Sequence, residues 1–292
     1  MRTRADASTR WCAVRTRQLP QLLDTLRPRE WGCVAFTSRL HRNGVPVLPR
    51  LSGARILAVW DDVASMTGAV MATRGGMIFP SLDTQFLASG GDAPALEGFL
   101  ARGTLSMVMG VEWQVAGLCD LIHRRPTHTV RYHLMTIDPQ AGVADSSPPA
   151  LQIRPATPAD LPALLPLQCA YEKEEVLLPG RSFNRTLAAR NLAHRLQSQR
   201  VYVALHAGTP VAMAGTNARG FAYDQVGGVY TVPAYRNRGI SRDLMGVLMR
   251  EAHCDHRQLC LFVKPQNAAA YTLYRNLGFT VRDWFAITYY AG

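Results

Sequence analysis

Seven consecutive residues, Arg236-Asn237-Arg238-Gly239-Ile240-Ser241-Arg242, carry the ingredients of a seat for a phosphorylated ligand. A β-branched run ends at Pro233 just before them. Beyond them Ile240, Leu244, Val247 and Leu248 recur at i, i+4, i+7 and i+8, one face of a helix. The first turn of a helix leaves about four N–H groups unpaired, with the positive end of the helix dipole behind them. Gly239 lets a ligand approach that backbone closely, and the arginines add full charges, so the turn suits a pyrophosphate. The Gly-Lys-Ser/Thr ending of a nucleoside-triphosphate loop is absent.

A second segment lies about 25 residues on. In "FVKPQNAAAYTLYRNLGF", Asn267 offers an N-cap and Gly278 a C-terminal stop, with Ala270, Tyr274 and Leu277 along one face. The run "HCDH", His253 to His256, invites a metal reading, but no second ligand pair of zinc-like spacing accompanies it. A fraying helix end and no metal is the expectation there.

The elements around these segments read as an alternating α/β pattern. "DPQAGVADSSPPAL", residues 138–151, is a linker in composition, dividing the chain into residues 1–137 and 152–292. The second part opens on strand "QIRPA". A helix follows with Thr157 as N-cap, Pro158 in its first turn and Asp160 at the dipole's positive end. "TLAARNLAHRLQSQ" makes a second helix. "RVYVALHAG" and "PVAMAGTNAR" form a hairpin about a Gly-Thr turn, and "FAYDQVGGVYTV" is a third strand with a bulge or bend at Gly227-Gly228. The predicted order is βαα-βββ-α-β-α-β, a mixed α/β sheet. In the first part, "RILAVWDD" and "GAVMATRGGMIFP" predict a hairpin. Strand "TLSMVMG", helix "VEWQVAGLCDLIHRR" and strand "TVRYHLMTI" follow. This echoes the second part, without the basic glycine turn.

The two motifs resemble those of the GNAT superfamily of acyl-CoA-dependent N-acyltransferases. Its Arg/Gln-x-x-Gly-x-Gly/Ala signature is matched by Arg236, Gly239 and Ser241. Its Asn-x-x-Ala-x-x-x-Tyr-x-x-x-Gly-Phe signature is matched by Asn267, Ala270, Tyr274, Gly278 and Phe279. The stretches "VPAYR" and "IRPATPADLPALL" are also typical. The resemblance covers residues 152–292 and implies a GNAT fold there. The first part is similar to the divergent N-terminal halves of tandem GNAT proteins, a degenerate and non-catalytic copy that helps form the acceptor cleft.

The resemblance implies a site. The coenzyme A pyrophosphate would lie on the amides of Asn237 to Arg242, and its pantetheine arm along Val229, Tyr230, Thr231 and Val232 like an added strand. Asn267 would approach that arm, and Tyr274 would protonate the departing thiolate. An N–H near Val229 to Thr231 would hold the oxyanion. Ser241 departs from the usual Gly/Ala but is small enough to keep the approach open. Tyr271 is a reserve acid on another face. Phe262 occupies the place where some members carry a strand glutamate, so the base is sought in Asp224, Glu172, Glu174 and Glu175, with Asp224 and Glu175 the named candidates. Relayed water is the alternative. A lysine-like amine needs about 4.6 kcal/mol to uncover its lone pair at neutral pH, an α-amino group about 1 kcal/mol. The demand on the base therefore depends on the acceptor.

Composition bounds the rest. The 292 residues, 48% hydrophobic and 18% charged, suit two globular domains. No apolar run approaches the ~18 residues of a membrane span, and the arginine-rich N-terminus lacks the apolar core of a secretory signal. The expectation is a cytoplasmic protein with no membrane association. The net charge of +11 favours anionic partners. No nucleic-acid signature accompanies it; the partners that the resemblance implies are acetyl-CoA and an amine acceptor. The six scattered cysteines read as reduced thiols. Two functions stand: an N-acetyltransferase using acetyl-CoA, or a non-catalytic acyl-CoA-binding regulatory or scaffolding protein.

Overall fold

The computed structural model describes residues 10–42, 45–47, 54–61, 64–83, 93–122, 124–137 and 151–291. The expected linker, apart from Leu151, lies outside the described residues. The first half runs β1 (Arg10–Ala13), α1 (Leu19–Leu26), α2 (Val34–Thr37), and a small ribbon of β2 (His41–Arg42) and β3 (Val45–Pro46). Then come β4 (Arg55–Trp60), β5 (Met66–Ala72), β6 (Met77–Ser81), α3 (Ala93–Ala101), β7 (Met107–Val111), α4 (Glu112–Leu121) and β8 (Pro126–Ile137). The second half runs β9 (Gln152–Pro155), α5 (Leu161–Tyr171), α6 (Arg185–Ser198), β10 (Val201–His206), β11 (Thr209–Arg219) and β12 (Tyr223–Thr231). It ends with α7 (Ile240–Cys254), β13 (Gln258–Val263), α8 (Ala268–Asn276) and β14 (Phe279–Tyr290). Leaving out the small ribbon, the two halves repeat one order of elements. The pattern predicted for the second half is the one observed, while in the first half β1, α1, α2, the β2–β3 ribbon and α3 had no counterpart in the sequence reading.

Local chemistry explains several boundaries. The Asp160 carboxylate accepts from the Thr157 N–H at 2.7 Å and from its hydroxyl at 3.0 Å, closing the start of the helical segment that leads into α5. The β10–β11 turn is centred on Ala207 and Gly208, both at positive φ (47° and 78°), one residue earlier than the expected Gly-Thr pair. In β10, Tyr202 and Ala204 pack with the α7 and α8 side chains. Val201, Val203 and Leu205 pack with those of α5 and α6, so alternation places one helix pair on each face.

The halves do not close on themselves. One 12-stranded sheet runs in the order β1-β4-β5-β6-β7-β14-β8-β13-β12-β11-β10-β9. The last strand of the first half, β8, pairs antiparallel with β13 of the second. The last strand of the second half, β14, pairs with β7 of the first, and β8 and β14 pair with each other. Each half therefore lends its final strand to the other.

A polar joint strengthens the seam. Glu30, fully buried, accepts from the N–H groups of Phe221 at 2.5 Å and Ala222 at 2.8 Å in the β11–β12 turn. Cys33 and Cys260 are buried nearby, and burial, then the charge of Glu30, pushes the Cys33 thiol up to about 12. Cys254 is exposed. Iodoacetamide at neutral pH is therefore expected to label Cys254 in the native protein and Cys33 and Cys260 only on unfolding, as peptide mass spectrometry would read.

Candidate active site

The site begins where two parallel strands part. Strands β12 and β13 pair only from Tyr223–Gln258 to Val226–Leu261, after which the two facing edges have no partner in each other. The break coincides with the predicted bulge. Against β11, Gly215 faces Gly227 but Met213 faces Tyr230, so β12 carries an extra residue there, with Gly228 at φ 64°. A bulge raises the local twist and swings the rest of β12 away from β13.

The wedge so opened is a cleft of about 330 Å³ bounded by Val229–Thr231, the turn Tyr235–Arg242, and the start of α8 with Asn267, Ala270, Leu273 and Tyr274. Gly239 caps α7 in the left-handed region (φ 78°), and a side chain there would meet open space. Asn237 is left-handed too, at φ 61°. Two such residues turn the chain sharply, so the unpaired N–H groups opening α7 face the cleft. Ser241 does more than spare room: its hydroxyl is 2.9 Å from that of Thr231, tying the end of β12 to the first turn of α7. Val232 lies just beyond the strand end, its N–H bonded to Val211.

The residues expected to act at the far end are partly assembled. Asn267 caps α8 through its carbonyl oxygen, which accepts from the Ala270 N–H at 3.0 Å. Its amide nitrogen donates to Glu175 at 2.9 Å. Burial foremost raises the Glu175 carboxyl above the ordinary glutamate value, and the charge of Glu174 adds to this against the opposing charge of Lys264. Tyr274 is 7% exposed; burial foremost, then the Tyr171 and Glu175 charges, push its phenol up, so it stays protonated near neutrality. Glu174 takes the Tyr230 hydroxyl at 2.7 Å and the Arg236 guanidinium at 2.7 Å. Burial raises its carboxyl, but these two hydrogen bonds outweigh that and hold it below the ordinary value. Arg236 also donates to the Thr231 carbonyl at 3.0 Å.

Two candidate bases lie elsewhere. Asp224 is 1% exposed and outside the cleft. Its carboxylate accepts from Arg257 at 2.8 Å and from Arg219 at 3.2 Å. The expectation that it serves as base is corrected: it is a structural anion between two guanidinium groups. Glu172 accepts from Gln168 at 2.8 Å and does not line the cleft. Three contributors were not singled out from sequence. Tyr171 ends α5, close enough to Tyr274 to raise its phenol. Arg195 donates to the Gly227 carbonyl at 3.2 Å. Tyr132, carried in by β8, has its phenol pushed up by burial foremost, then by the charges of Tyr289, Tyr171 and Glu175. None sits in a local motif, since each reaches the site across the fold. At the other end of α7, among the described residues no group of three or more His, Cys, Asp or Glu could hold a metal ion. No helix among them is long and apolar enough to cross a membrane.

Comparison with known proteins agrees with this geometry. Residues 197–281 match the acetyltransferase (GNAT) domain family. Over 162 residues, 53% of this chain and 41% of the relative, the sequence is 32% identical to an uncharacterized protein of Mycobacterium leprae (strain TN). Over 63 residues, 21% of this chain and 37% of the relative, it is 38% identical to the L-methionine sulfoximine/L-methionine sulfone acetyltransferase of Salmonella typhimurium (strain LT2). The chain spans less than half the length of either curated relative. A solved tandem GNAT protein from the clavulanic acid biosynthesis pathway aligns over 98% of this chain and 99% of its own, with a TM-score of 0.55 and 15% identity, a likeness of fold. The chain carries an acetyltransferase domain of the GNAT family, set in a tandem GNAT fold.

Proposed function

We propose that this protein is an N-acetyltransferase that moves acetyl from acetyl-CoA to a primary amine by direct attack. The observation that carries the reading is the parting of β12 from β13 directly above the left-handed Gly239 cap of α7. That arrangement offers an unpaired strand edge for a pantetheine arm and a helix N-terminus for a diphosphate. The diphosphate rests on the amides of Asn237 to Arg242, and the arm runs along Val229 to Val232. Glu175 takes the proton of the incoming amine. The nitrogen lone pair then forms the C–N bond, and the carbonyl pair moves onto oxygen, where a β12 N–H stabilises it. Collapse of the intermediate breaks the C–S bond, Tyr274 gives its proton to the departing thiolate, and the second proton leaves the nitrogen to restore the tyrosine hydroxyl.

Isothermal titration with coenzyme A tests the seat. The Arg236→Glu variant is expected to bind about tenfold or more weakly, the range of one charge-assisted contact, with its circular dichroism unchanged. Undiminished affinity would remove the diphosphate from this turn. Acetylated products detected by mass spectrometry, after incubation with acetyl-CoA and a fractionated cell extract, would identify the acceptor.

One observation favours a second reading, an acyl-CoA-binding regulatory or scaffolding role. Phe262, at the place of the strand glutamate, is stacked on Phe285 with ring centroids 3.8 Å apart, so an aromatic pair stands where a carboxylate could act. Single-turnover loss of the acetyl group to a panel of amines separates the readings: the enzyme transfers it, and a sensor retains it.

A further inference from the structure

Arg195 is 8% exposed on α6, and among the described residues it has no carboxylate at ion-pair distance. One guanidinium nitrogen donates to the Gln168 side-chain oxygen at 3.1 Å, and another to the Gly227 carbonyl at 3.2 Å. The Nε is buried without a partner. A cation so placed costs stability, because no carboxylate pairs with it directly and Glu172 reaches it only through the Gln168 amide. Its surroundings are specific. A Cβ on Gly228 would collide with the guanidinium, so the bulge of β12 and Arg195 are packed in direct contact.

The Gly227 carbonyl and the Gly228 N–H are two ends of one trans peptide group and point opposite ways. A charged donor on the carbonyl draws electron density through the peptide and makes the N–H at its other end a stronger donor. Gly228 falls in the bulge, outside the registers of β12 with β11 and with β13, and directly precedes Val229 on the cleft wall. The polarised N–H therefore belongs to the strand segment that leads into the cleft wall bordered by the proposed acid and base.

Taking acyl transfer at β12 as given, we propose that Arg195 is a positioning residue for the reaction. Through the Gly227–Gly228 peptide it fixes the bulge and strengthens the Gly228 N–H as the donor for the thioester oxygen. The proposal narrows the oxyanion donor to one residue, just before the Val229–Thr231 stretch named from sequence, and gives it an electrostatic source on another helix.

The test is made on the full chain with acetyl-CoA labelled with carbon-13 at the thioester carbonyl. In the wild type the carbonyl stretch is expected at lower wavenumber in the complex than in solution. Arg195→Met should abolish that displacement and lower kcat about tenfold or more, a fraction of what losing a whole oxyanion donor costs. Coenzyme A affinity, set at Asn237 to Arg242, should hold. Arg195→Lys keeps the charge and Arg195→Gln keeps an uncharged donor, so kcat and carbonyl displacement should fall in the order Lys, Gln, Met. This series remains readable should the Met variant fail to fold. Wild-type turnover with kcat and carbonyl frequency unmoved across the variants overturns the role of Arg195 alone. A wild-type complex with neither displacement nor turnover overturns the acyl-transfer reading, and this one with it.

Discussion

Replacing Glu175 with glutamine is expected to lower kcat about 10²–10⁴-fold, the usual range for losing a general base, while coenzyme A binds as before. Glutamine has the same shape and still presents an oxygen to the Asn267 amide nitrogen, so the bond between these residues survives the change. What disappears is the ability to accept a proton. The pH profile gives an independent check. Glu175 must be ionised to act, and burial foremost raises its carboxyl above the ordinary glutamate value. In the wild type kcat/KM should therefore climb with pH through that raised value. The climb should vanish in Glu175→Gln, leaving only the slope set by the acceptor amine. A variant that keeps both the rate and the acid limb would place the base elsewhere and leave relayed water as the route.

Asp224→Ala should act in the opposite sense, on stability and not on chemistry. The carboxylate is 1% exposed and lies between the guanidinium groups of Arg257 and Arg219. Arg219 keeps Asp255 at 3.6 Å, but removing the carboxylate leaves the more deeply buried Arg257 without a counter-charge, a loss of about 3–5 kcal/mol. For a chain of this size that lowers Tm by about 6 °C or more. Arg257 also donates to the carbonyls of Gly220, Phe221 and Tyr223, the turn whose N–H groups are held by Glu30 of the first half. The destabilisation is therefore expected to weaken the seam between halves. Calorimetry reads the stability, and kcat measured well below the lowered Tm should match the wild type. A large fall in kcat at unchanged stability would return Asp224 to the list of bases.

These two carboxylates show how far a sequence carries a site. Glu175 stands at the end of a charged run that reads as a solvated face, yet Asn267, distant in sequence, draws it to the cleft. Asp224 adjoins Gln225 on β12, and facing in a strand changes with every residue. A strand residue beside the cleft is thus as apt to point away from the site as into it, and Asp224 does so because Arg257, beyond α7, captures it.

The backbone turn proposed to seat the diphosphate was determined by sequence alone. Gly239, Asn237 and the amphipathic run after them act within one turn of backbone, and unpaired N–H groups follow from where a helix starts, whatever surrounds it. The bulge at Gly227–Gly228 and the Asn267 cap are equally local. The exchange of β8 and β14, the delivery of Tyr132 by the first half, and the guanidinium of Arg195 beneath the bulge were decided only in the tertiary structure. Strand pairing is not written in a strand's own pattern, because β8 and β14 present similar edges and find their partners by packing across the whole sheet. Side-chain charge likewise takes its meaning from neighbours that the chain brings together only when folded.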